Sequence, residues 1–267
     1  MMLTTAALIL IVTSKVVLGQ DDRKYFGGDI FQLDMAVNSV DDRYDGCREK
    51  MENLVRTKYL KQEICADLSG FGAAWINSTG KISESKKLKM HHLSAITVYT
   101  GLTVNREFNQ DVRTGRQKYK EKKYTWFSLH FLLTEAIQIL KKKQNKCKLT
   151  YRGTKVMFNE NVQNKEIRFG SFASSSLERK IAKRFGNESC FEIETCYGAD
   201  VSKYSYLPYE KEVLIPPYET FKVTAIKKRG AWCNTVFKLE SSGIKSNLNC
   251  AVASVEPRRY HNVIISD

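Results

Sequence analysis

The segment Y-E-K-E-V-L-I-P-P-Y-E-T-F, residues 209–221, sets two glutamates one residue apart directly before an apolar run that two prolines end. The run predicts a β-strand, and an extended chain from Glu210 to Ile215 would place both carboxylates on one face and Lys211 on the other. Carboxylates about 6 to 7 Å apart on one strand face repel each other unless water or a cationic ligand relieves them. Taken alone, the segment favours a solvated sheet edge, with a ligand site as the alternative.

The N-terminal segment has the pattern of a secretory signal peptide. Residues 1–19 hold an apolar core that closes on Val17 and Gly19 at the small-residue positions before a cleavage site. Lys15 interrupts this run, which is therefore shorter than the roughly 18 apolar residues that a membrane span requires. The C-terminal sequence H-N-V-I-I-S-D lacks the hydrophobic tail of a lipid-anchor signal. We therefore expect a secreted, extracellular, monomeric protein without a membrane anchor.

Seven cysteines follow the predicted signal, at positions 47, 65, 147, 190, 196, 233 and 250. In an oxidising compartment most of them should be paired, and the odd number leaves at least one thiol without an intramolecular partner. The cysteines show no C-x-x-C pair or clustered Cys/His spacing, which argues against a structural zinc site. The sequons at Asn77 and Asn187 are consistent with secretion and predict a glycoprotein.

The formal net charge is +14, and removal of the signal with Lys15 lowers it by one, to +13. This excess fits a nucleic acid, an anionic membrane surface or an anionic small ligand, and charge alone does not choose among them. The densest basic segment, residues 113–126, interleaves cations with Tyr119, Tyr124 and Trp126. Such a segment can clamp a nucleic-acid backbone, but we favour a solvated loop that leads into a helix, and we expect no nucleic-acid partner.

Residues 42–146 show the spacing of amphipathic helices. Apolar side chains recur at positions 51, 54, 55 and 59, and again at 129, 132, 133, 136, 137 and 140. The second of these helices ends in three lysines, residues 141–143, which suit the negative end of a helix dipole.

Residues 147–267 contain short strand-like runs instead: K-L-T-Y-R, E-I-R-F-G, C-F-E-I-E-T-C-Y, E-V-L-I-P-P, F-K-V-T-A-I and W-C-N-T-V-F-K-L. One helix interrupts them, and we predict that it begins at a capping box of Ser175 and Glu178 and ends at Gly186. The pattern predicts one α+β domain over residues 20–267, with a helical first part packed on a mainly antiparallel second part.

Three features of the second part stand in a fixed order. Arg152 closes a strand-like run in Y-R-G-T, where the glycine permits the close approach of a ligand. The segment R-F-G-S-F-A-S-S-S, residues 168–176, then leads a strand into a serine cluster, and the glutamate pair follows. Together they closely resemble the R-S-E-x-E triad of the arginine-specific mono-ADP-ribosyltransferases, vertebrate ecto-enzymes related to bacterial ADP-ribosylating toxins.

The resemblance extends over essentially the whole chain after the signal. D-D-R-Y-D-G-C, A-I-T-V-Y-T and F-S-L-H-F-L-L-T-E-A are similar to the family's helical segments, and T-C-Y-G-A and E-K-E-V-L-I-P-P-Y-E-T-F to its later signatures. It implies the ADP-ribosyltransferase fold, in which two mainly antiparallel sheets form a cleft for NAD. It also implies transfer of ADP-ribose from NAD, used as a substrate without a metal, to a protein arginine, with release of nicotinamide.

The resemblance implies a role for each site residue. Arg152 would hold the NAD phosphates, since its guanidinium is always charged and bonds two oxygens at once. Gly153 would place backbone groups against the nicotinamide amide. Ser174 would orient the catalytic glutamate, and Phe172 or Phe169 would stack on nicotinamide.

The glutamate pair would carry the chemistry. Nicotinamide in NAD is already a cationic leaving group, so the reaction needs stabilisation of an oxocarbenium-like ribose rather than a general acid. Glu212 would bond the ribose hydroxyl and face this charge, whereas Glu210 would bind the incoming guanidinium and help to remove its proton. Tyr204 and Tyr206 occupy the family's substrate-recognition loop, although packing under the loop explains them equally well.

The resemblance also implies two disulfides, Cys147–Cys196 and Cys47–Cys250. It leaves open the pairing of the other three cysteines, the target protein and the preference for NAD over NADP. Three alternatives to the transferase are a secreted NAD glycohydrolase, a catalytically inactive extracellular binding protein of the same fold, and a basic protein that binds nucleic acid or a membrane surface.

Overall fold

The computed structural model describes residues 30–79, 85–230 and 232–253. The predicted signal peptide and the C-terminal sequence from residue 254 lie outside the described residues. Within the described ranges, no helix is both long and apolar enough to cross a bilayer.

Helices fill most of the chain between residues 48 and 144. They are α1 (Arg48–Leu54), α2 (Leu60–Ala66), α3 (Phe71–Ser78), α4 (Met90–Tyr99), α5 (Asn105–Thr114), α6 (Arg116–Lys120) and α7 (Phe127–Gln144), with α8 (Arg179–Ala182) further on. A π-helical turn, Val55–Tyr59, joins α1 to α2. The predicted apolar face of α7 is confirmed, because all six of its predicted apolar positions are buried, and the three lysines occupy its last turn. This face forms the centre of the helical core.

The basic segment before α7 differs from its prediction. Much of it is helical, in the end of α5 and in α6, rather than a solvated loop. The rings of Tyr119, Tyr124 and Trp126 are buried, and the indole nitrogen of Trp126 donates a hydrogen bond to Asp111 at 2.9 Å. These aromatic side chains therefore pack the core, while the interleaved lysines face solvent.

The strands lie mostly after residue 147. They are β1 (Ile30–Phe31), β2 (Lys148–Thr154), β3 (Met157–Phe158), β4 (Glu166–Ile167), β5 (Ala173–Ser176), β6 (Ser189–Thr195), β7 (Ala199–Asp200), β8 (Glu212–Ile215), β9 (Glu219–Lys228) and β10 (Thr235–Ile244). Eight of them form one sheet in the order β4–β9–β10–β6–β2–β5–β8–β7, whereas β1 and β3 pair separately. Within the sheet all pairs are antiparallel except β6 with β10. The predicted α+β class is confirmed.

The eight-stranded sheet is divided in its middle. Seven residue pairs join β2 to β6, but only Tyr151 and Ser176 join β2 to β5. The helical core includes Phe172 and Leu214 from the β5–β8 side, and a second core around Phe191 and Phe237 belongs to the other side. The two sheets implied by the resemblance are thus two parts of one sheet, and a single residue pair joins these parts.

Three disulfides crosslink this architecture. Cys47–Cys250 and Cys147–Cys196, the two that the resemblance implies, are both formed. The third joins Cys190 to Cys233, two cysteines for which the sequence left the pairing open. Among the described cysteines Cys65 alone has no disulfide partner, and it is exposed.

The predicted capping box of Ser175 and Glu178 is wrong. Ser175 lies within β5, and its hydroxyl donates to the carbonyl oxygen of Val213 at 3.0 Å. The helix begins only at Arg179, and its N-terminal end has no side-chain cap. A run of serines can pack in a strand when neighbouring backbone carbonyls accept their hydroxyls, and here this bonding replaces the cap.

The backbone of β2 approaches the turn after α8 more closely than a side chain would allow. A Cβ atom at Gly153 would lie 2.3 Å from the carbonyl oxygen of Gly186 and 2.4 Å from that of Ala182. Gly153→Ala should therefore force β2 away from this turn, at a cost of about 2 kcal/mol or more, which corresponds to a decrease in Tm of about 4 to 8 °C. Thermal unfolding followed by circular dichroism measures the change.

Gly101→Ala is the matched control. Its Cβ would meet no atom closer than 3.2 Å, a tight but tolerable contact. An equal decrease in Tm for both variants would show that the close approach at Gly153 does not limit the packing of β2.

Candidate active site

Arg152 spans the place where the sheet divides. It lies on β2, and its Nη1 donates a hydrogen bond to the carbonyl oxygen of Ser174 on β5 at 2.6 Å. Burial lowers the pKa of the guanidinium, and the neighbouring charge of Arg113 lowers it further. A guanidinium keeps its proton even so, which makes this a cation with little solvent around it at the edge of the cleft.

Ser174 connects this cation to Glu212. The two residues lie on the neighbouring strands β5 and β8, where Ser174 pairs with Leu214 and Ser176 with Glu212. Burial raises the pKa of Glu212 to about 7, while a hydrogen bond from Ser174 and the charge of Arg152 act in the opposite direction. Glu212 is 1% exposed. The predicted contact between this serine and the second glutamate is therefore present.

The two glutamates do not lie on one extended strand, as the sequence predicts. Glu210 ends a 3₁₀ turn, Pro208–Glu210, and β8 begins only at Glu212. Between them Lys211 has a left-handed conformation with φ of 51°, and its carbonyl oxygen accepts the backbone N–H of Leu177. The chain therefore turns at Lys211, a conformation that few residues other than glycine, asparagine and aspartate adopt and that no local signal in the sequence announces.

Both glutamates are nevertheless buried in the same site. Burial raises the pKa of Glu210 to about 7, and the negative charge of Glu212 raises it further, against a lowering by Arg184. The hydroxyl of Ser176 holds the loop by donating to the backbone carbonyl of Glu210 at 2.7 Å. The repulsion that the sequence predicts for the pair is thus present, although the backbone that produces it is different.

One carboxylate oxygen of each glutamate has no partner. Oε1 of Glu210 and Oε1 of Glu212 are fully buried and accept no hydrogen bond from any described residue. Buried polar atoms are normally satisfied, because an unpaired one costs about 1 to 3 kcal/mol. Two such oxygens in one site, both on acidic side chains, suit a ligand that brings hydrogen-bond donors and positive charge.

The three other residues predicted to contact nicotinamide, Phe172, Phe169 and Gly153, have different surroundings. Phe172 is 1% exposed and stacks on Phe108 within the helical core, with ring centroids 5.6 Å apart, so its ring does not face the cleft. Phe169 is half-buried and packs edge-on against Phe191 and Phe221. Gly153 pairs with Cys190 in the β2–β6 ladder. Of the two phenylalanines, only Phe169 keeps an exposed edge.

Sequence reasoning missed Tyr99 and Arg113. Tyr99, in the last turn of α4, donates to the carbonyl oxygen of Phe172 at 3.0 Å and accepts a hydrogen bond from Asn109 at 3.0 Å. Burial raises its pKa to about 12, so that the hydroxyl keeps its proton beside Ser174. Arg113, on α5, donates to the hydroxyl of Ser171 at 3.0 Å. Helical periodicity places both residues on helices but does not bring them to the cleft.

The two candidate tyrosines of the loop before Glu210 have different environments. Tyr204 packs against the helical core, and its hydroxyl lies 3.3 Å from that of Ser85. Tyr206 is 42% exposed. Packing under the loop thus accounts for Tyr204, whereas Tyr206 presents its ring at the surface.

The described residues contain no group of histidine, cysteine and acidic side chains that could hold a metal ion. The elements of this site are instead one half-buried arginine, one serine and two buried carboxylates.

Residues 33–246 match the family model of the NAD:arginine ADP-ribosyltransferases. The T-cell ecto-ADP-ribosyltransferase 2 of Mus musculus is 36% identical over 230 residues, which cover 82% of this chain and 77% of that protein. The erythroblast NAD(P)(+)–arginine ADP-ribosyltransferase of Gallus gallus is 34% identical over 227 residues, which cover 82% and 75% of the two chains.

Solved structures give the same result. The crystal structure of the eukaryotic mono-ADP-ribosyltransferase ART2.2 superposes with a TM-score of 0.68 at 31% identity, over 82% of this chain and 98% of the other. A variant of ART2.2 in complex with NAD superposes with a TM-score of 0.67 at 30% identity over the same shares of both chains.

The two carboxyl groups should titrate near neutral pH. Because the native state raises the pKa of Glu210 and of Glu212 above the value in the unfolded chain, their ionisation disfavours folding. This penalty to the free energy of unfolding is absent below about pH 4, grows as the pH rises towards about 7, and is constant above that pH. We expect ¹³C NMR of glutamate-labelled protein to show two carboxyl resonances with pKa values near 7, and Glu212→Gln to lower the pKa of Glu210. If the pKa of Glu210 is the same in Glu212→Gln as in the wild-type protein, the two groups are not coupled.

Proposed function

The chain belongs to the family of NAD:arginine ADP-ribosyltransferases, and we propose which of its residues bind NAD, break its glycosidic bond and accept the arginine. The protein transfers ADP-ribose from NAD, its substrate, to arginine side chains of proteins and releases nicotinamide. The observation that carries the assignment of residues is the pair of buried, unpaired carboxylate oxygens of Glu210 and Glu212 next to Arg152.

Arg152 binds the diphosphate of NAD. Its guanidinium is half-buried and uses one N–H on the carbonyl oxygen of Ser174, which leaves further donors for phosphate oxygens. Gly153, the next residue on β2, offers backbone groups to the amide of nicotinamide. Phe169 is our candidate for contact with the nicotinamide ring, since Phe172 is enclosed in the core.

Glu212 stabilises the transition state of the bond-breaking step. The bond between the ribose C1′ atom and the nicotinamide nitrogen breaks, and its electron pair leaves with nicotinamide. The ribose then carries an oxocarbenium-like positive charge, which the ionised carboxylate of Glu212 faces in a site with little water. Ser174 holds that carboxylate by a hydrogen bond, and the buried Tyr99 keeps Ser174 in place.

Glu210 receives the acceptor. A guanidinium that enters beside Glu210 donates to its unpaired Oε1 and lowers the pKa of the carboxylate by its charge. One guanidine nitrogen then bonds to C1′, and the proton that this nitrogen loses passes to Glu210. Water in the same position would give NAD hydrolysis instead. A buried carboxylate poised for a cation favours the guanidinium.

Substitution of the two glutamates should separate these roles. Glu212→Gln removes the charge that faces the ribosyl cation, so transfer and NAD hydrolysis should both fall by at least about 100-fold while NAD binding changes little. Glu210→Gln should lose transfer to arginine and keep measurable NAD hydrolysis, because the cation still forms and water captures it. Labelled NAD, with agmatine or with buffer alone, gives both activities, and titration calorimetry gives NAD binding.

Lys211→Ala is the matched control, because this side chain is exposed between the two glutamates. Neither activity should change by more than about three-fold, since a solvated lysine on a surface contributes little. Equal losses of both activities in Glu210→Gln and Glu212→Gln would refute the division of labour. Absence of both activities from the wild-type protein would instead favour an inactive binding protein of the same fold.

We also propose that the protein is secreted, acts outside the cell and is a monomer without a membrane anchor. Its three disulfides suit an oxidising compartment, and several of its relatives are named ecto-enzymes. Expressing cells should release the chain into the medium with its N-terminus near Gln20. Light scattering should give the molar mass of a monomer. Recovery only after phospholipase treatment of membranes would contradict this proposal.

A further inference from the structure

A second concave site lies beside the loop that leads to Glu210. It is a cavity of about 420 Å³ between α3 and the end of α4, lined on one side by Ala73 and Ala74 and on the other by Val98 and Leu102. Tyr206, from the loop, also lines it. We refer to it as the α3–α4 groove. Its volume is within the range of sites that hold a small ligand or a large side chain.

The groove is uncharged and mainly apolar in a strongly basic protein, although Asn77, Ser78, Thr97 and Thr103 also line it. None of the described residues that line it carries a charge, although the chain has a formal charge of +14. Large apolar side chains stand exposed at its margin, with Leu102 at 52% and Tyr206 at 42%, and the neighbouring Ile76 at 62%. Exposed apolar surface beside a concave site is typical of places where another molecule binds.

Backbone contacts join the groove to the acceptor side of the active site. The backbone N–H of Tyr206 donates to the hydroxyl of Thr100 at 2.7 Å, and the hydroxyl of Thr97 donates to the carbonyl oxygen of Tyr204 at 3.4 Å. The loop is thereby held against the end of α4. It continues directly into the 3₁₀ turn that ends at Glu210, where Tyr209 is 49% exposed. The same loop therefore contributes Tyr206 to the groove and Glu210 to the active site.

We propose that the α3–α4 groove binds an apolar side chain of the target protein that lies near the arginine to be modified, an inference that rests on the proposed transfer to arginine. A protein that presents an arginine to Glu210 must also cover the surface around it, including the ring of Tyr206. A charged side chain would lose its hydration in the neutral groove without gaining a partner of opposite charge, whereas an apolar one gains from burial. The groove thus selects substrates by a residue other than the arginine.

Peptide acceptors test this selection without knowledge of the natural target. Each peptide carries one central arginine in a serine and glycine background, with a single leucine moved from one to eight positions away on either side. We measure kcat/KM for transfer to each peptide, to the peptide without leucine, and to agmatine. With the wild-type protein, at least one leucine position should raise kcat/KM by about 10-fold, the gain expected from burying one leucine side chain.

Two matched variants locate the effect. Leu102→Ser removes apolar surface from the groove, and Leu149→Ser makes the same change at a leucine of similar exposure, 56%, on β2. Leu102→Ser should reduce the leucine preference to less than about two-fold while transfer to agmatine and NAD hydrolysis stay unchanged. Leu149→Ser should keep the wild-type preference. An equal loss in both variants, or a loss of agmatine transfer in Leu102→Ser, would overturn the proposal.

Other occupants of the groove give different results. Asn77, which lines the groove, belongs to a glycosylation sequon. If enzymatic removal of N-glycans or Asn77→Gln creates the leucine preference that the glycosylated protein lacks, the groove holds the glycan and the proposal fails. A dimer that Leu102→Ser dissociates would assign the groove to a second copy. Transfer to agmatine without any leucine preference overturns the groove alone, whereas absence of all transfer overturns the proposed function with it.

Discussion

The hydrogen bond between Arg152 and the carbonyl oxygen of Ser174 bridges the one place where the main sheet separates into two parts. On one side β2 continues into a ladder of seven pairs with β6, and on the other β5 continues into four pairs with β8. The side chains at this separation lie on β-strands, which position them more precisely than loops do. The cation that joins the two parts of the sheet is therefore also the one to which we assign the phosphates of NAD.

A second arginine, which is fully buried, holds the strand that carries Ser174. Arg168 and Asp41 form a fully buried ion pair at 2.6 Å, and the guanidinium also donates to the carbonyl oxygens of Met35, Ala36 and Lys245. Asp41 in turn accepts the backbone N–H groups of Asn247 and Leu248. Loss of either partner would leave a buried charge uncompensated, which typically costs about 3 to 5 kcal/mol. The pair fixes the start of the segment that runs into β5.

Long elements with one buried face were predictable from the sequence, and short polar ones were not. Hydrophobic periodicity or strand-like composition identifies α7 and the strands β2, β6, β9 and β10. The strand β5 instead consists of three serines after an alanine. Hydroxyls of this strand bond to backbone carbonyls of distant residues, which the sequence does not reveal. The site shows the same limit. The resemblance named Arg152, Ser174 and both glutamates, but the turn at Lys211 and the contribution of Tyr99 depend on contacts between distant segments.

The turn at Lys211 explains how two like charges share a buried site. On an extended strand their separation would be set by the strand rise alone, and water at a sheet edge would reduce their repulsion. Here Ser176 and Leu177 bind the backbone on either side of the turn, so that the position of each carboxylate is set by main-chain bonds rather than by salt bridges. Each carboxylate therefore keeps an oxygen without a partner, and its pKa rises to about 7. No described residue donates a hydrogen bond to these two oxygens. In the proposed mechanism, positive charge on a ribose and on a guanidinium would therefore be stabilised by the same burial that makes the two glutamates costly in the free protein.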